Sequence, residues 1–280
     1  MKNGSFCYRI KSFFITILYV TGMLVFSFMF ADNESMTVFA DPSQRVICPI
    51  IVYHNISDDS VLTDPLNVTW RDLEADIKSL KQEGYEPVFI QDLIDFVYDR
   101  KPLPEKPVVL TFDNGLSSLT AVLPVLQKYN FKASVSVVGH LSELSTKNKR
   151  EGLTAAYLTW DEISDLYESG LVEINGQSYN INDGEAFSDE FLYKDALKLN
   201  KKLQEQSGVT PAAYVYSISR SLPADEGFLK KLGFRASMSC DENMNVITTP
   251  ESLFGLCRYS RRGGISSEEF IARIIGDMPY

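Results

Sequence analysis

The chain has 280 residues, a formal net charge of −10, 45% hydrophobic residues and 23% charged residues. This composition is ordinary for a globular protein and excludes a mainly disordered chain. The acid excess disfavours nucleic acid and anionic membrane surfaces as partners, and it is compatible with a neutral or cationic polymer.

The chain opens with a basic stretch containing Lys2, Arg9 and Lys11, followed by uncharged residues from Ser12 to Ala31. Roughly 20 such residues can span a bilayer as a helix, with the basic flank kept inside. Val38-Phe39-Ala40 has the small-residue pattern of a cleavage site. Residues 1–40 are therefore read as a signal peptide or a membrane anchor with a short linker, and residues 41–280 as the exported domain. That places the domain outside the cell or on the outer face of the membrane, with membrane contact only through the N-terminal segment. Beyond Cys7, the cysteines are Cys48, Cys240 and Cys257. A Cys240–Cys257 disulfide and three reduced thiols both remain open.

From residue 48 onward, short apolar runs alternate with helical patterns. Strands are predicted at 48–54, 107–113, 133–138, 171–175, 212–217, 234–239 and 253–259. Helices are predicted at 70–83 behind a Thr69 cap, 91–98, 116–129 with Pro124 inside, 160–169 behind a Thr159–Glu162 capping box, 187–206, from Pro223 to near Gly233, and after Ser266. Residues 141–156 read as a polar loop. Strands alternating with helices imply a parallel sheet, and this number of units in roughly 230 residues predicts a distorted β/α barrel of about seven parallel strands. Chemistry in such barrels sits at the C-terminal strand ends. That directs attention to His54, Asp113, the segment after Asn175, Ser217 and Arg258.

Three segments carry a family resemblance: PIIVYHNI (49–56), PVVLTFDNGLSSLTAVLPVLQKYNFKASVSVVG (107–139) and LTWDEISDLYESGLVEINGQSYNIN (158–182). In order and spacing they resemble the polysaccharide deacetylase (NodB homology) family in its exported branch. The resemblance extends from about Pro49 to Ile275. It implies a carbohydrate de-N-acetylase in which an aspartate acts as base while a second aspartate and two histidines hold a divalent metal such as zinc. The metal polarises the acetamide carbonyl and activates water.

Carried over residue by residue, Asp113 falls on the base position. Asn114, Gln177 and Asn182 fall on the three metal positions, so all three ligands are amides here. Amide oxygens are neutral and weak beside imidazole and carboxylate, and this substitution leads to an expectation of no bound metal or other cofactor. The same amides would suit sugar hydroxyls and acetamido groups as a hydrogen-bonding floor. Tyr216, in the altered Tyr214-Val215-Tyr216-Ser217 stretch, and His54 are read as lining the substrate pocket. Arg258 matches a family arginine that orients the base, and a barrel-end salt bridge is its other reading. The remaining histidine, His140, could join His54 and Asp113 in a rebuilt metal site.

Three functions follow from these readings. The first is an exported, non-catalytic relative of the deacetylases that binds an envelope glycan containing N-acetylglucosamine, or a chito-oligosaccharide-like ligand, and that could also serve an envelope protein partner. The second is an active de-N-acetylase with altered ligands. The third is a metal-free carbohydrate hydrolase pairing Asp113 with Asp183 or Glu185.

Overall fold

The computed structural model describes residues 45–57, 64–180, 188–216 and 227–278. The N-terminal apolar run, Asn182, Asp183, Glu185 and Ser217 lie outside them. Among the described residues, no helix is long and apolar enough to cross a membrane.

The chain enters through β1 (Val46–Cys48), β2 (Ile50–Tyr53), β3 (Asn55–Ser57) and β4 (Asn67–Thr69). Helix α1 (Trp70–Gln82) follows, set by a reciprocal box in which Thr69 Oγ1 accepts from the Asp72 backbone and Asp72 accepts from the Thr69 backbone. Its Leu73, Ile77 and Leu80 fall at helical spacing and are wholly buried, each worth roughly 1.5–3 kcal/mol relative to exposure. Then come β5 (Glu86–Pro87), α2 (Ile90–Asp99) and β6 (Pro107–Phe112). The predicted 116–129 helix divides into a 3-10 turn, Ser117–Ala121, and α3 (Leu123–Tyr129). Pro124 sits in the first turn of α3, where its missing N–H costs nothing.

Strand β7 (Ala133–Val138) matches its prediction, but the predicted loop after it is largely helix α4 (Gly139–Arg150). Ser142, Ser145 and Thr146 bury one face of that helix, and Lys147, Lys149 and Arg150 complement the negative end of its dipole. The polarity that suggested a loop belongs to a solvated helix face. Next are α5 (Trp160–Glu168), capped by the Thr159–Glu162 box, β8 (Val172–Ser178) and α6 (Asp189–Ser207). The described chain closes with β9 (Ala213–Val215), α7 (Gly227–Lys231), β10 (Ala236–Met238), β11 (Asn245–Ile247), β12 (Tyr259–Ser260) and α8 (Ser267–Gly276). The strand predicted at 253–259 is mostly a 3-10 turn (Pro250–Leu253) and a connector, with only Tyr259 and Ser260 in β12.

Seven parallel strands curl in the order β10-β9-β8-β7-β6-β2-β12. The edges approach each other where Leu256 bridges Met238 of β10. This is the distorted β/α barrel expected from the alternation. Alternate residues of β6, β7 and β8 (Val108, Leu110, Phe112; Ala133, Val135, Val137; Val172, Ile174) join an apolar cluster with α1 and α5 outside the barrel. Their neighbours share the opposite face, because Thr111 pairs in register with Ser134, Ser134 with Glu173, and Ser136 with Asn175.

That inner face is polar. Glu173 accepts from Ser134 Oγ at 2.6 Å, Asn175 Nδ2 at 2.9 Å, and the Ile90 and Gln91 backbone N–H groups at 3.2 and 2.8 Å. It thereby satisfies the N-terminus of α2, whose N-cap Phe89 offers no side-chain acceptor. Glu173→Leu leaves these donors unmet and is expected to cost about 3 kcal/mol by urea denaturation. Burial pushes the Glu173 carboxyl above its ordinary value, with the four donors opposing the shift. The folded state therefore holds this proton more tightly than the unfolded state does. The corresponding stability is present at acid pH and is lost as pH rises through the raised value. Glu173→Gln is expected to flatten that part of the pH profile.

Candidate functional site

Asp113 leaves the C-terminal end of β6 and is 3% exposed. Asn114 (φ 68°) and Gly115 (φ 64°) then take left-handed conformations, a turn that asparagine tolerates better than most residues. A Cβ on Gly115 would also come within 3.1 Å of Val137 Cγ1. On the far side, β8 is irregular. Val137 pairs with Gly176 and Val138 with Ser178, so Gln177 is the extra residue of a bulge. Bulges re-aim side chains, and this one turns Gln177 toward Asn114.

The two amides bind each other. The Asn114 backbone N–H donates to Gln177 Oε1 at 2.9 Å, and Gln177 Nε2 donates to Asn114 Oδ1 at 2.9 Å. The first bond fixes the orientation of both amides. A backbone N–H only donates, so Gln177 must offer its oxygen there and its nitrogen to the neighbouring amide.

Asp113 is engaged by Arg258, which reaches in from just before β12. Arg258 Nη1 meets Asp113 Oδ1 at 2.7 Å, and Nη2 meets Oδ2 at 3.1 Å. Arg258 is 1% exposed, and its Nε donates to the Ser239 carbonyl at 2.8 Å. Burial alone would lower the Arg258 pKa, but Asp113 more than offsets this and pushes it up. His54 Nδ1 lies 3.9 Å from Asp113 Oδ2, within ion-pair range and too far for a hydrogen bond. Burial lowers the His54 pKa, with Asp113 opposing, which favours neutral imidazole.

Asp113, Asn114, Gln177, Arg258 and His54 thus meet at one end of the barrel. Tyr216 does not join them, because its ring is buried with Leu192, Ala196 and Phe228 and stands edge-on to Tyr214 at 5.2 Å. The parity of β9 turns it to the outer layer. His140 is exposed at the start of α4, 6.2 Å ring to ring from Tyr179. Among the described residues, no three His, Cys, Asp or Glu side chains converge as an ion site. Cys48, Cys240 and Cys257 are free thiols. Cys240 Sγ donates to the Tyr216 carbonyl and Cys257 Sγ contacts the Gly255 carbonyl, so the two do not form a disulfide here.

Sequence reasoning missed Asp195 of α6, whose carboxylate accepts from the Tyr179 and Asn180 backbones at 2.7 and 2.9 Å and pins the chain leaving β8. It also missed Cys240, 3.8 Å from Arg258 Nη2. Neither carries a local sequence signal. A cavity of about 850 Å³ lies at the opposite end of the barrel, among Pro87, Asn130, Lys132 and Leu171. Two of its lysines are paired, Lys132 with Asp92 and Lys101 with Asp95, so size alone does not make it the site.

A sequence model of the polysaccharide deacetylase family matches residues 100–237, from before β6 to the start of β10. The chain carries a polysaccharide deacetylase domain. It is 28% identical over 260 residues to the poly-β-1,6-N-acetyl-D-glucosamine N-deacetylase of Escherichia coli K12, covering 80% of this chain. The match spans 38% of that relative's length. Over 185 residues it is 29% identical to YxkH of Bacillus subtilis, described as a putative polysaccharide deacetylase, covering 58% of this chain and 63% of that one. Among solved structures, the deacetylase PplD of Streptococcus pyogenes superposes with a TM-score of 0.71 at 21% identity, covering 85% of this chain and all of that one. IcaB from Ammonifex degensii gives 0.64 at 18% identity, covering 82% and 96%. At these identities the structures speak to the fold.

This domain corrects the expectation of no cofactor, because its homologues are metal-dependent. That expectation set the three substituted positions above the metal chemistry of the family. The donors at Asn114 and Gln177 nevertheless do not fit a divalent cation as they stand. Each amide oxygen already accepts a hydrogen bond within the pair, and the nearest carboxylate is held by Arg258.

Proposed function

We propose that residues 41–280 form an exported domain that binds an envelope glycan containing N-acetylglucosamine and, at this site, retains it without hydrolysis. On this reading residues 1–40 are a leader or anchor, and the sugar docks at the C-terminal end of the barrel beside Asp113 and His54, with the buried Arg258 holding Asp113 in place. The reciprocal Asn114–Gln177 bonds carry the reading. They occupy two positions that the family resemblance assigns to metal ligands, and each side-chain oxygen there is neutral and already accepts a hydrogen bond within the pair. Asn182, at the third such position, is also an amide. The carboxylate at the base position is locked by two charge-assisted bonds to Arg258. The named activity of the Escherichia coli relative supports the ligand class.

The test is to incubate the full chain with an N-acetylated β-1,6-glucosamine oligomer, with and without added zinc or cobalt. Saturable binding with no acetate released above a protein-free control is expected. Metal-stimulated, catalytic acetate release would refute the non-catalytic part. Release that ignores metal and chelator but disappears in Asp113→Asn would favour a metal-free hydrolase.

A further inference from the structure

Asp76 shares the buried stripe of α1 with Leu73, Ile77 and Leu80, a place that an apolar side chain would fill at less cost. Its partner is Arg261, just after β12, and the two are 0% and 1% exposed. Arg261 Nε donates to Asp76 Oδ2 at 2.8 Å, and the Tyr53 hydroxyl donates to the same oxygen at 3.0 Å. Asp76 Oδ1 and Arg261 Nη2 are buried with no hydrogen-bond partner among the described residues. Two ions desolvated with so few of their bonds met stabilise a fold poorly.

Their place suggests another use. Tyr53 is the last residue of β2, and His54 follows it. On one side β12 pairs with Ile51 and Val52, so that ladder stops short of Tyr53. On the other side Tyr53 pairs with Phe112 of β6, its ring stacks on the Phe112 ring at 5.1 Å, and its carbonyl accepts from the Asp113 backbone at 3.1 Å. Tyr53 and Phe112 belong to the outer apolar cluster, and the residues after them, His54 and Asp113, carry the site. The hydroxyl bond to Asp76 supplies the support that the β12 ladder does not. Arg261 in turn is fixed to β2 and α8, through its backbone N–H to the Val52 carbonyl at 2.9 Å and its guanidinium over the Phe270 ring at 5.1 Å.

Resting on the glycan reading above for what the site does, we infer that Asp76 and Arg261 are positioning residues that act through the Tyr53 hydroxyl to hold the His54 ring against Asp113. The consequence is a single tautomer. His54 Nδ1 lies 3.9 Å from Asp113 Oδ2, so a held ring keeps its proton on Nδ1, facing the carboxylate. A released ring exchanges between its two tautomers.

The experiment is imidazole nitrogen NMR of the full chain carrying isotope-labelled histidine, at a pH where both imidazoles are neutral. The chain has 2 histidines, and the exposed His140 is the control. In the unmodified chain His54 is expected to show two well-separated nitrogen resonances, with the proton on Nδ1. Asp76→Leu combined with Arg261→Met keeps the net charge and fills the place with apolar side chains, so it is expected to fold, as checked by circular dichroism and urea denaturation. Tyr53→Phe keeps the ring stack and removes only the hydroxyl. Both variants are expected to lose at least half of the separation between the His54 nitrogens, with His140 unchanged. Full separation retained in either folded variant overturns the inference and marks the pair as merely structural. Averaged His54 nitrogens in the unmodified chain, or a proton held on Nε2, overturn it as well, as does an equal change at His140. The readout needs no glycan. Loss of separation in both variants, in a chain that binds no N-acetylated β-1,6-glucosamine oligomer, sustains the positioning role and removes the glycan reading alone.

Discussion

Arg258→Met is expected to lower the unfolding free energy by about 3–5 kcal/mol, because it strands a buried carboxylate whose counter-charge has gone. Asp113 is 3% exposed, Arg258 is 1% exposed, and both Asp113 oxygens are bonded to the guanidinium. The pair itself is a different quantity from the cost of breaking it. Desolvating two ions consumes most of what their attraction returns, so Arg258→Met combined with Asp113→Leu is expected to recover most of the lost stability. Urea denaturation of the two single variants and the double variant measures the coupling. A double variant as unstable as the sum of the singles would mean that Arg258 acts mainly through its Nε bond to the Ser239 carbonyl. Recovery in the double variant would mark the pair as a functional fixture that fixes the carboxylate's direction at the cost of a more stable apolar filling.

Much of the scaffold was legible because its signals are local. The capping boxes at Thr69 and Thr159, the run ASVSVV and the alternation of strand and helix depend on residues a few places apart. The site was legible only in part. Asp113, Asn114, Gln177, His54 and Arg258 were identified from motif order, and they do come together. Tyr216 was placed wrongly because strand parity, which turns it outward, cannot be read from a three-residue strand. The polar inner face was not anticipated. The pattern V-E-I-N-G-Q alternates as an ordinary half-exposed strand would, and only barrel closure turns Glu173, Asn175 and Gln177 inward. The buried ion pair of Asp76 and Arg261, 2.8 Å apart between α1 and the end of β12, was equally hidden. Its members lie far apart in sequence, and each alone looks like a surface charge.

Restoring the family's ligand types is expected to convert the amide pair into a metal site. The change is Asn114→Asp with Gln177→His and Asn182→His, read by zinc titration of the full chain. Asn114→Asp alone should do little, since Gln177 Nε2 would go on donating to the new carboxylate, and Gln177 would still offer only a neutral amide oxygen that already accepts from the residue 114 backbone. Gln177→His alone gives one imidazole facing an amide. Only together do they replace inward-turned oxygens with a carboxylate and two ring nitrogens, so the gain should be strongly non-additive, at roughly 100-fold or more in zinc affinity over the unmodified chain. Comparable zinc affinity in the unmodified chain would show that its ligands come from elsewhere and that Asn114 and Gln177 are not the positions that matter. A folded triple variant that still fails to bind zinc would break the residue-by-residue correspondence with the family at this site. Tight zinc binding by the triple variant without acetate release would place the remaining deficit in the stretch from Tyr214 to Ser217, where the family's Pro-Gly turn is missing, since hydrolysis needs donors for the oxyanion as well as the metal.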